Sequence, residues 1–278
     1  MQPPATPIPM IRPSLYAYPV RIVDGVGAAL VAASDDHLQA WSDMGFTLGS
    51  PRTWQGCLCH DIALEHADIR LLVDDGTRTE LSRAVTDALA DNHTLLGWTW
   101  TCADIGEAAR AIGARSGVQL AHDPATTCLQ VPTELTPGAL TLLEAAPGED
   151  APVDHPNAVS SIDHIVLIAE DAETPAAVYA DNLGLRPRVR DLPRGRYAFL
   201  KAGETILEIS ANREAPVPAA AWGLALQSAD IIRSVATAQG AGHTVSGPNK
   251  AIQGGLIASV ADAPGGMPLA FMQPEPRD

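Results

Sequence analysis

The chain has 278 residues, and 46% of them are hydrophobic, which is enough to bury one large core or two ordinary ones. With 33 acidic residues against 18 basic ones, the formal net charge is −15, and this charge disfavours nucleic acids and membrane surfaces as partners. No apolar run is long enough to cross a bilayer, and the N-terminal segment lacks the basic and apolar regions of a secretion signal. We therefore expect a cytoplasmic protein that acts on small molecules.

An internal repeat organises the sequence, because four apolar segments each run into an aspartate that can cap a following helix. These capping residues are Asp35, Asp104, Asp171 and Asp230. Each predicted helix ends near a glycine, and each unit closes with a further apolar strand. The spacing from the capping aspartate to the closing strand is nearly constant, from Asp35 to Arg70, Asp104 to Thr141, Asp171 to Glu208 and Asp230 to Ala270. The pattern predicts four units of the type βαβββ.

A Pro-rich, acidic segment between units two and three is typical of an interdomain linker. The sequence therefore predicts an N-terminal arm at 1–19, a first domain at 20–147, a linker at 148–160 and a second domain at 161–274. Four cysteines in the first domain are expected to be reduced and buried, and the first two would share one face of a strand: Cys57, Cys59, Cys102 and Cys128.

Two ionisable residues interrupt apolar strands of the third unit. His164 lies in its first strand, within IDHIVLIAED, and Glu208 lies in its last, within AFLKAGETILEIS. A buried ionisable group is costly unless it is paired, hydrogen-bonded or bound to a metal. Three interpretations stay open for this pair: two ligands of a metal ion, a metal-free acid/base or substrate-binding pair, and a structural pair within the sheet.

The same stretch resembles a known family. IDHIVLIAED, a helix ending in NLGL, and AFLKAGETILEIS together resemble the opening module of glyoxalase-like proteins of the vicinal oxygen chelate superfamily. AWGLALQSADIIRSVATAQGAG and ASVADAPGGMPLAFMQP resemble the companion module, and units one and two resemble the same fold more faintly. The resemblance implies an α+β fold of four βαβββ modules arranged as two domains. Each domain would be a cupped mixed sheet with flanking helices.

The resemblance also implies metal ligands on the first and last strands of each module. The third unit keeps both positions, as His164 and Glu208, whereas the matching residues elsewhere are Ala28 and Arg70, Gly97 and Thr141, and Gly223 and Ala270. A divalent ion (zinc, iron, manganese or nickel) would need a third ligand, for which His243 in GAGHTVSGP is the first candidate. The first domain is expected to have lost its site. No phosphate-binding loop is present, so we expect no nucleotide cofactor.

Further residues are candidates for substrate contact. RPRVRDLPRGR is arginine-rich, and arginines that alternate along a strand share one face. If that face turns into the cup, it would bind an anionic substrate, and if it turns outward, it is a solvated surface. The predicted contacts are Arg188, Arg196, Tyr197, Lys201 and Gln253, the last of which precedes a Gly-Gly pair.

The predicted function is that of a small-molecule enzyme of the glyoxalase type. Its chemistry would be metal-assisted isomerase or lyase-type proton transfer on an oxygenated metabolite, with His164 and Glu208 as catalytic residues. The alternative is a metal-free binding or sequestration protein of the drug- or antibiotic-resistance type. Extradiol ring cleavage is disfavoured, because iron in such enzymes is held by two histidines and one carboxylate. A monomer and a homodimer are both compatible with four units in one chain.

Overall fold

The computed structural model of the protein describes residues 20–146, 153–212, 219–252 and 254–275. The predicted N-terminal arm and the candidate residue Gln253 lie outside these ranges. Within them, no helix is both long and apolar enough to span a membrane.

The first domain consists of units one and two. Its elements are β1 (Gly25–Ala32), α1 (Asp35–Asp43), β2 (Arg52–Trp54), β3 (Cys57–Ile62), β4 (Asp68–Asp74), α2 (Glu80–Ala90), β5 (Leu95–Cys102), α3 (Ile105–Ser116), β6 (Cys128–Val131) and β7 (Leu140–Ala145). The strands form one mixed sheet in the order β2-β3-β4-β1-β5-β7-β6. At its centre β1 and β5 run antiparallel, and each has a parallel partner on its outer side, β4 and β7 respectively.

The second domain repeats this plan with all strands present. Its elements are β8 (Val159–Ala169), α4 (Glu173–Leu183), β9 (Pro187–Leu192), β10 (Gly195–Ala202), β11 (Thr205–Ala211), β12 (Ala219–Ser228), α5 (Ile231–Gly240), β13 (Val245–Lys250), β14 (Leu256–Val260), a 3-10 turn (Pro264–Gly266) and β15 (Leu269–Gln273). The sheet order is β13-β14-β15-β12-β8-β11-β10-β9. Again two antiparallel strands, β8 and β12, meet at the centre, and each has a parallel partner.

The predicted fold class is confirmed, with two departures inside the first domain. In the part of the chain that the structure describes, unit two has three strands instead of four, because no strand forms between α3 and β6. Helix α2, which the repeat did not predict, joins units one and two.

The predicted helix caps are correct in three units. The carboxylates of Asp104, Asp171 and Asp230 each accept a backbone N–H bond from the first turn of the following helix. In the first unit the cap is Ser34, whose hydroxyl accepts from the backbone of His37, and Asp35 is the first helical residue instead.

The helix-bearing faces of the two sheets pack into one continuous core. Trp98 and Trp100 of β5 both contact Tyr179 of α4, with ring centroids 6.3 Å and 6.1 Å apart. The hydroxyl of Tyr179 donates a 2.9 Å hydrogen bond to the carbonyl oxygen of Pro137. The two domains are therefore joined by shared packing as well as by the linker.

The described part of the linker is built into this interface. His155 is 4% exposed. Its Nδ1 accepts a 3.0 Å bond from the amide of Thr47, and its Nε2 lies 3.0 Å from the carbonyl oxygen of Ala63. This arrangement requires a neutral ring with its proton on Nε2, and burial accordingly lowers the pKa of His155.

Candidate active site in the second sheet

The face of the second sheet that points away from α4 and α5 carries a cavity of about 560 Å³, which we call the cup. Side chains alternate between the two faces of each strand, so residues two apart share a face. The cup is lined by such alternating residues of the central strands, including His164, Val166 and Ile168 of β8 and Glu208 of β11. The predicted pair thus faces one cavity.

His164 and Glu208 come close because their strands are parallel neighbours, with His164 paired to Ile206, two residues before Glu208. His164 Nε2 lies 3.8 Å from Glu208 Oε2, and each side chain is 17% exposed. A separation of 3.8 Å is too long for a direct hydrogen bond. It leaves both atoms available to one molecule in the cup.

A third residue, Asp163, completes the arrangement. Its Oδ1 accepts a 2.8 Å hydrogen bond from His164 Nδ1. With Nδ1 occupied as a donor, Nε2 is the ring nitrogen that faces Glu208, and the carboxylate fixes the orientation of the ring. Orientation by a neighbouring carboxylate is what a histidine needs to act as a base through its other nitrogen.

A β-bulge makes this contact possible. Adjacent residues of a regular strand point to opposite faces, so Asp163 and His164 should not meet. Opposite β12, however, His164 is paired with Ala225 and Ile162 with Leu226, which leaves Asp163 as an extra residue. Bulges re-aim side chains in this way and are common beside active sites.

The environment of Glu208 favours its protonated form. Burial raises the pKa of the Glu208 carboxyl above its ordinary value of 4.5. The neighbouring His164 offsets this only in part, and the charge of Asp163 adds to it. The carboxyl is thereby brought nearer to the pH range in which it can both give and take a proton.

The donors do not fit a complete metal site. The positions that match His164 and Glu208 in unit four are Gly223 and Ala270, which carry no donor. A Cβ added at Gly223 would collide with the carbonyl oxygen of Pro268, so the backbone leaves no room for a ligand there. Over the described ranges, no group of three or more His, Cys, Asp or Glu side chains is placed to hold an ion. A protein site for zinc or iron needs three donors or more, so His164 and Glu208 alone do not make such a site.

The candidate third ligand, His243, lies elsewhere. It follows α5, and its Nδ1 is 3.0 Å from the carbonyl oxygen of Asp262 and 3.4 Å from the carboxylate of that residue. It is not among the described residues that line the cup. Because α5 packs against the opposite face of the sheet, His243 does not join His164 and Glu208 in this fold.

The residues predicted to contact the substrate lie on both faces of the second sheet, because side chains alternate along each strand. Tyr197 lines the cup, and Arg188 and Lys201 line a second cavity next to it. Arg196 points to the other face, where it binds the carboxylates of Asp191 and Glu173, so this placement does not support a substrate contact.

Sequence reasoning missed Trp222, which also lines the cup and is 41% exposed. Ala221 pairs with Leu167 and Gly223 with Val166, so Trp222 is the extra residue of a second bulge. An exposed tryptophan beside Gly223 offers an apolar wall to a ligand. The bulge itself leaves no signal in the sequence.

In the first domain, helix α2 covers part of the corresponding face, and the cavity beside it is smaller, at about 390 Å³. Helix α2 packs there, and its Leu81 and Val85 join an apolar cluster with residues of six strands: Leu30, Ala32, Trp54, Cys57, Cys59, Leu72, Cys128 and Leu142. Cys57 and Cys59 share this face as predicted. Burial raises the pKa of their thiols to about 11 and about 12 respectively.

An ion-pair network occupies the position of the lost ligands. Arg70, which matches Glu208, is 7% exposed. Its Nε donates to Asp61 at 3.0 Å, and its Nη1 donates to Glu144 at 3.1 Å. Thr99 donates a 2.6 Å bond to the second oxygen of Glu144. The residue that matches Glu208 thus takes part in a buried ion-pair network.

The sequence alignment of unit two was wrong by one residue. Thr141 points to the helix side, where its hydroxyl meets that of Thr136 at 2.7 Å. Leu142 of β7 instead faces the side that helix α2 covers. Gly97 cannot carry a ligand either, because an added Cβ would collide with the carbonyl oxygen of Leu140.

The two-domain fold is similar to that of solved structures. A mutant of 4-hydroxymandelate synthase from Streptomyces coelicolor aligns with 92% of this chain and 94% of its own, at a TM-score of 0.64 and 11% identity. A xylose isomerase-like TIM barrel/4-hydroxyphenylpyruvate dioxygenase fusion protein aligns with 94% of this chain at a TM-score of 0.62 and 15% identity. The present chain spans 50% of the length of that fusion protein. At such identities the likeness shows the fold alone.

The sequence of the second domain also matches a family model. Residues 161–271 match the model of the Glyoxalase/Bleomycin resistance protein/Dioxygenase superfamily. This match confirms the resemblance noted in the sequence for the second domain. No curated protein sequence matches the chain significantly.

Proposed function

We propose that the second domain is an enzyme that moves a proton on a small carbonyl compound, with His164 and Glu208 as the acid/base pair. The observation that carries the proposal is the arrangement of the two groups. One is oriented by Asp163, the other is a buried carboxyl, and both face the same cavity.

The chemistry follows from what each residue can do. His164, with Nδ1 bound to Asp163, accepts a proton through Nε2 from a carbon next to the carbonyl group. Glu208, kept protonated more readily by burial, donates a hydrogen bond to the enolate oxygen that forms. Return of the proton to the same carbon or to its neighbour gives an epimerase or isomerase, and loss of a group from the adjacent carbon gives a lyase.

Metal assistance stays a prediction for this cup, in which the described donors number two, His164 and Glu208. The names of the aligned structures, a synthase and a dioxygenase fusion, do not carry over as activities, because a likeness at 11% and 15% identity shows the fold alone.

A second candidate function is metal-free binding or sequestration of an apolar molecule. It is supported by the apolar wall formed by Val166, Ile168, Trp222 and Ile257. This second function does not explain the bulge that brings Asp163 to His164.

Proton exchange in D₂O tests the proposal against this alternative. The wild-type protein is incubated in D₂O with a pooled set of 2-oxo acids, 3-oxo acids and acyl thioesters, and loss of each α-proton signal is followed by NMR. An enzyme of the proposed type exchanges the α-proton of at least one compound catalytically. If calorimetry instead detects stoichiometric binding while no compound exchanges or is converted, the protein is a binder.

A further inference from the structure

Beside the cup lies a larger cavity of about 870 Å³, which we call the arginine cleft. Five cationic side chains line it: Arg21, Arg186, Arg188, Arg190 and Lys201. Its other lining side chains are apolar, and the described residues contribute no carboxylate to its walls. In a chain with a net charge of −15, this concentration of positive charge is unusual.

The arginine cleft and the cup share one face of the sheet, because the strand register aligns their side chains in rows. Glu208 of β11 is paired with Phe199 of β10, and Phe199 is paired with Arg188 of β9. In the next row, His164 is paired with Ile206, and Ile206 with Lys201. Neighbouring strands are about 4.8 Å apart, so Arg188 lies two strands, or about 10 Å, from Glu208.

The charges on this hairpin are distributed unevenly between its two faces. On the helix side, Arg196 is bound to Asp191 and Glu173. On the cleft side, Arg188 and Arg190 have no ion pair with any described residue. Arg188 and Arg190 are exposed and share one face of β9, so both guanidinium groups are open to an anionic ligand.

Between the charges and the reaction centre, the floor of the sheet is apolar. Phe199 is stacked on Tyr197, with ring centroids 6.1 Å apart and planes 14° apart. Ile206 continues the surface towards His164. The lone lysine of the cleft is held at its rim, where Nζ lies 3.3 Å from a carboxylate oxygen of Glu204.

From this order of groups we propose that the arginine cleft binds the anionic end of the substrate. The substrate class is an elongated amphipathic anion. Its carbonyl end lies at His164 and Glu208, an apolar segment crosses Phe199, and a carboxylate or phosphate about 10 Å away is held by Arg188 and Arg190. This inference rests on the proposed function for the role of the carbonyl end, but anion binding in the cleft is measurable without any turnover.

Binding of simple probes tests the cleft. We would titrate ¹⁵N-labelled protein with 4-phenylbutyrate, with 4-phenylbutyl phosphate and with the neutral 4-phenylbutanamide. The expected result is saturable binding of at least one anion, with shifts at residues 186–201, and at least about tenfold weaker binding of the amide, since a charge-assisted bond is lost. The better of the two anions identifies the headgroup. The inference is overturned if the amide binds as well as both anions, or if neither anion binds below about 10 mM.

Variants separate this result from the proposed function. Arg188→Gln and Arg190→Gln are each expected to weaken anion binding at least about tenfold, because guanidinium binds an anionic oxygen group in a fork that glutamine cannot offer. Arg196→Gln, on the other face of the same hairpin, is the matched control and should bind as the wild type does. Glu208→Gln should retain probe binding even if it abolishes turnover. Unchanged binding in both Arg188→Gln and Arg190→Gln overturns the inference, whereas anion binding without proton exchange overturns only the proposed function.

Discussion

Replacement of Arg70 by methionine tests whether the first domain has exchanged its site for a structural network. The Arg70 side chain is 9% exposed and its partner Glu144 is 12% exposed. Burial alone would lower the pKa of Arg70, but the charges of Glu144 and Asp61 outweigh it and raise the pKa. Removing one partner of a buried ion pair leaves an uncompensated charge and costs about 3–5 kcal/mol. Arg70→Met should therefore lower the free energy of unfolding by about 3 kcal/mol or more, as measured by urea denaturation followed by circular dichroism.

Arg52 provides the matched control, because it binds the same Asp61 at 2.7 Å from a position that is 42% exposed. Arg52→Met should cost about 1 kcal/mol or less. Combining Arg70→Met with Glu144→Leu should recover most of the loss, since neither buried charge remains. Equal costs for Arg52→Met and Arg70→Met, or no recovery in the double variant, would refute the reasoning.

Three further predictions concern titrating groups. Burial raises the folded-state pKa of Glu208, so ionisation of this carboxyl destabilises the fold as pH rises above 4.5. The melting temperature of Glu208→Gln should therefore gain on that of the wild type between pH 4.5 and neutral pH. A difference in melting temperature that stays constant over this range would speak against the prediction. His155→Ala leaves a buried amide and a buried carbonyl without a partner, so it should lower the free energy of unfolding by about 2 kcal/mol or more. Because burial lowers the pKa of His155, the wild type should lose stability as pH falls below 6.5, where the unfolded histidine becomes protonated, and the variant should not show this loss. The four cysteines are buried, and burial raises the pKa of each thiol to about 11 or about 12. A thiol reagent at pH 8 should therefore label them only after unfolding, and rapid labelling of the native protein would contradict their burial.

Periodicity and capping chemistry were sufficient to predict the repeat. Apolar strands followed by a capping aspartate are local signals, and three of the four predicted aspartates do cap their helices. The family resemblance implied that His164 and Glu208 face one cavity, and the pairing of His164 with Ile206, two residues before Glu208, agrees with this.

What could not be read from the sequence depends on breaks in that regularity and on distant packing. The extra residues at Asp163 and Trp222 are defined by the partner strand, so their faces cannot be deduced from alternation in β8 or β12 alone. Whether Arg188 and Arg190 lie on the same side of the sheet as the cup depends on how the β9–β10 hairpin joins β11. Helix α2 was missed because it interrupts the repeat, and His243 was misplaced because a turn residue carries no sign of the sheet face it lies on.

The most direct test of the central claim is the rate of α-proton exchange in D₂O for single variants of the pair. With the compound that the wild type exchanges, Glu208→Gln and His164→Gln should each be slower by about 10² to 10⁴-fold, the usual contribution of a general acid or base. The exposed residues Glu170 and His66 provide matched controls, and Glu170→Gln and His66→Gln should exchange as fast as the wild type. Exchange that survives in the His164→Gln/Glu208→Gln double variant would contradict the assignment of the cup as the reaction centre.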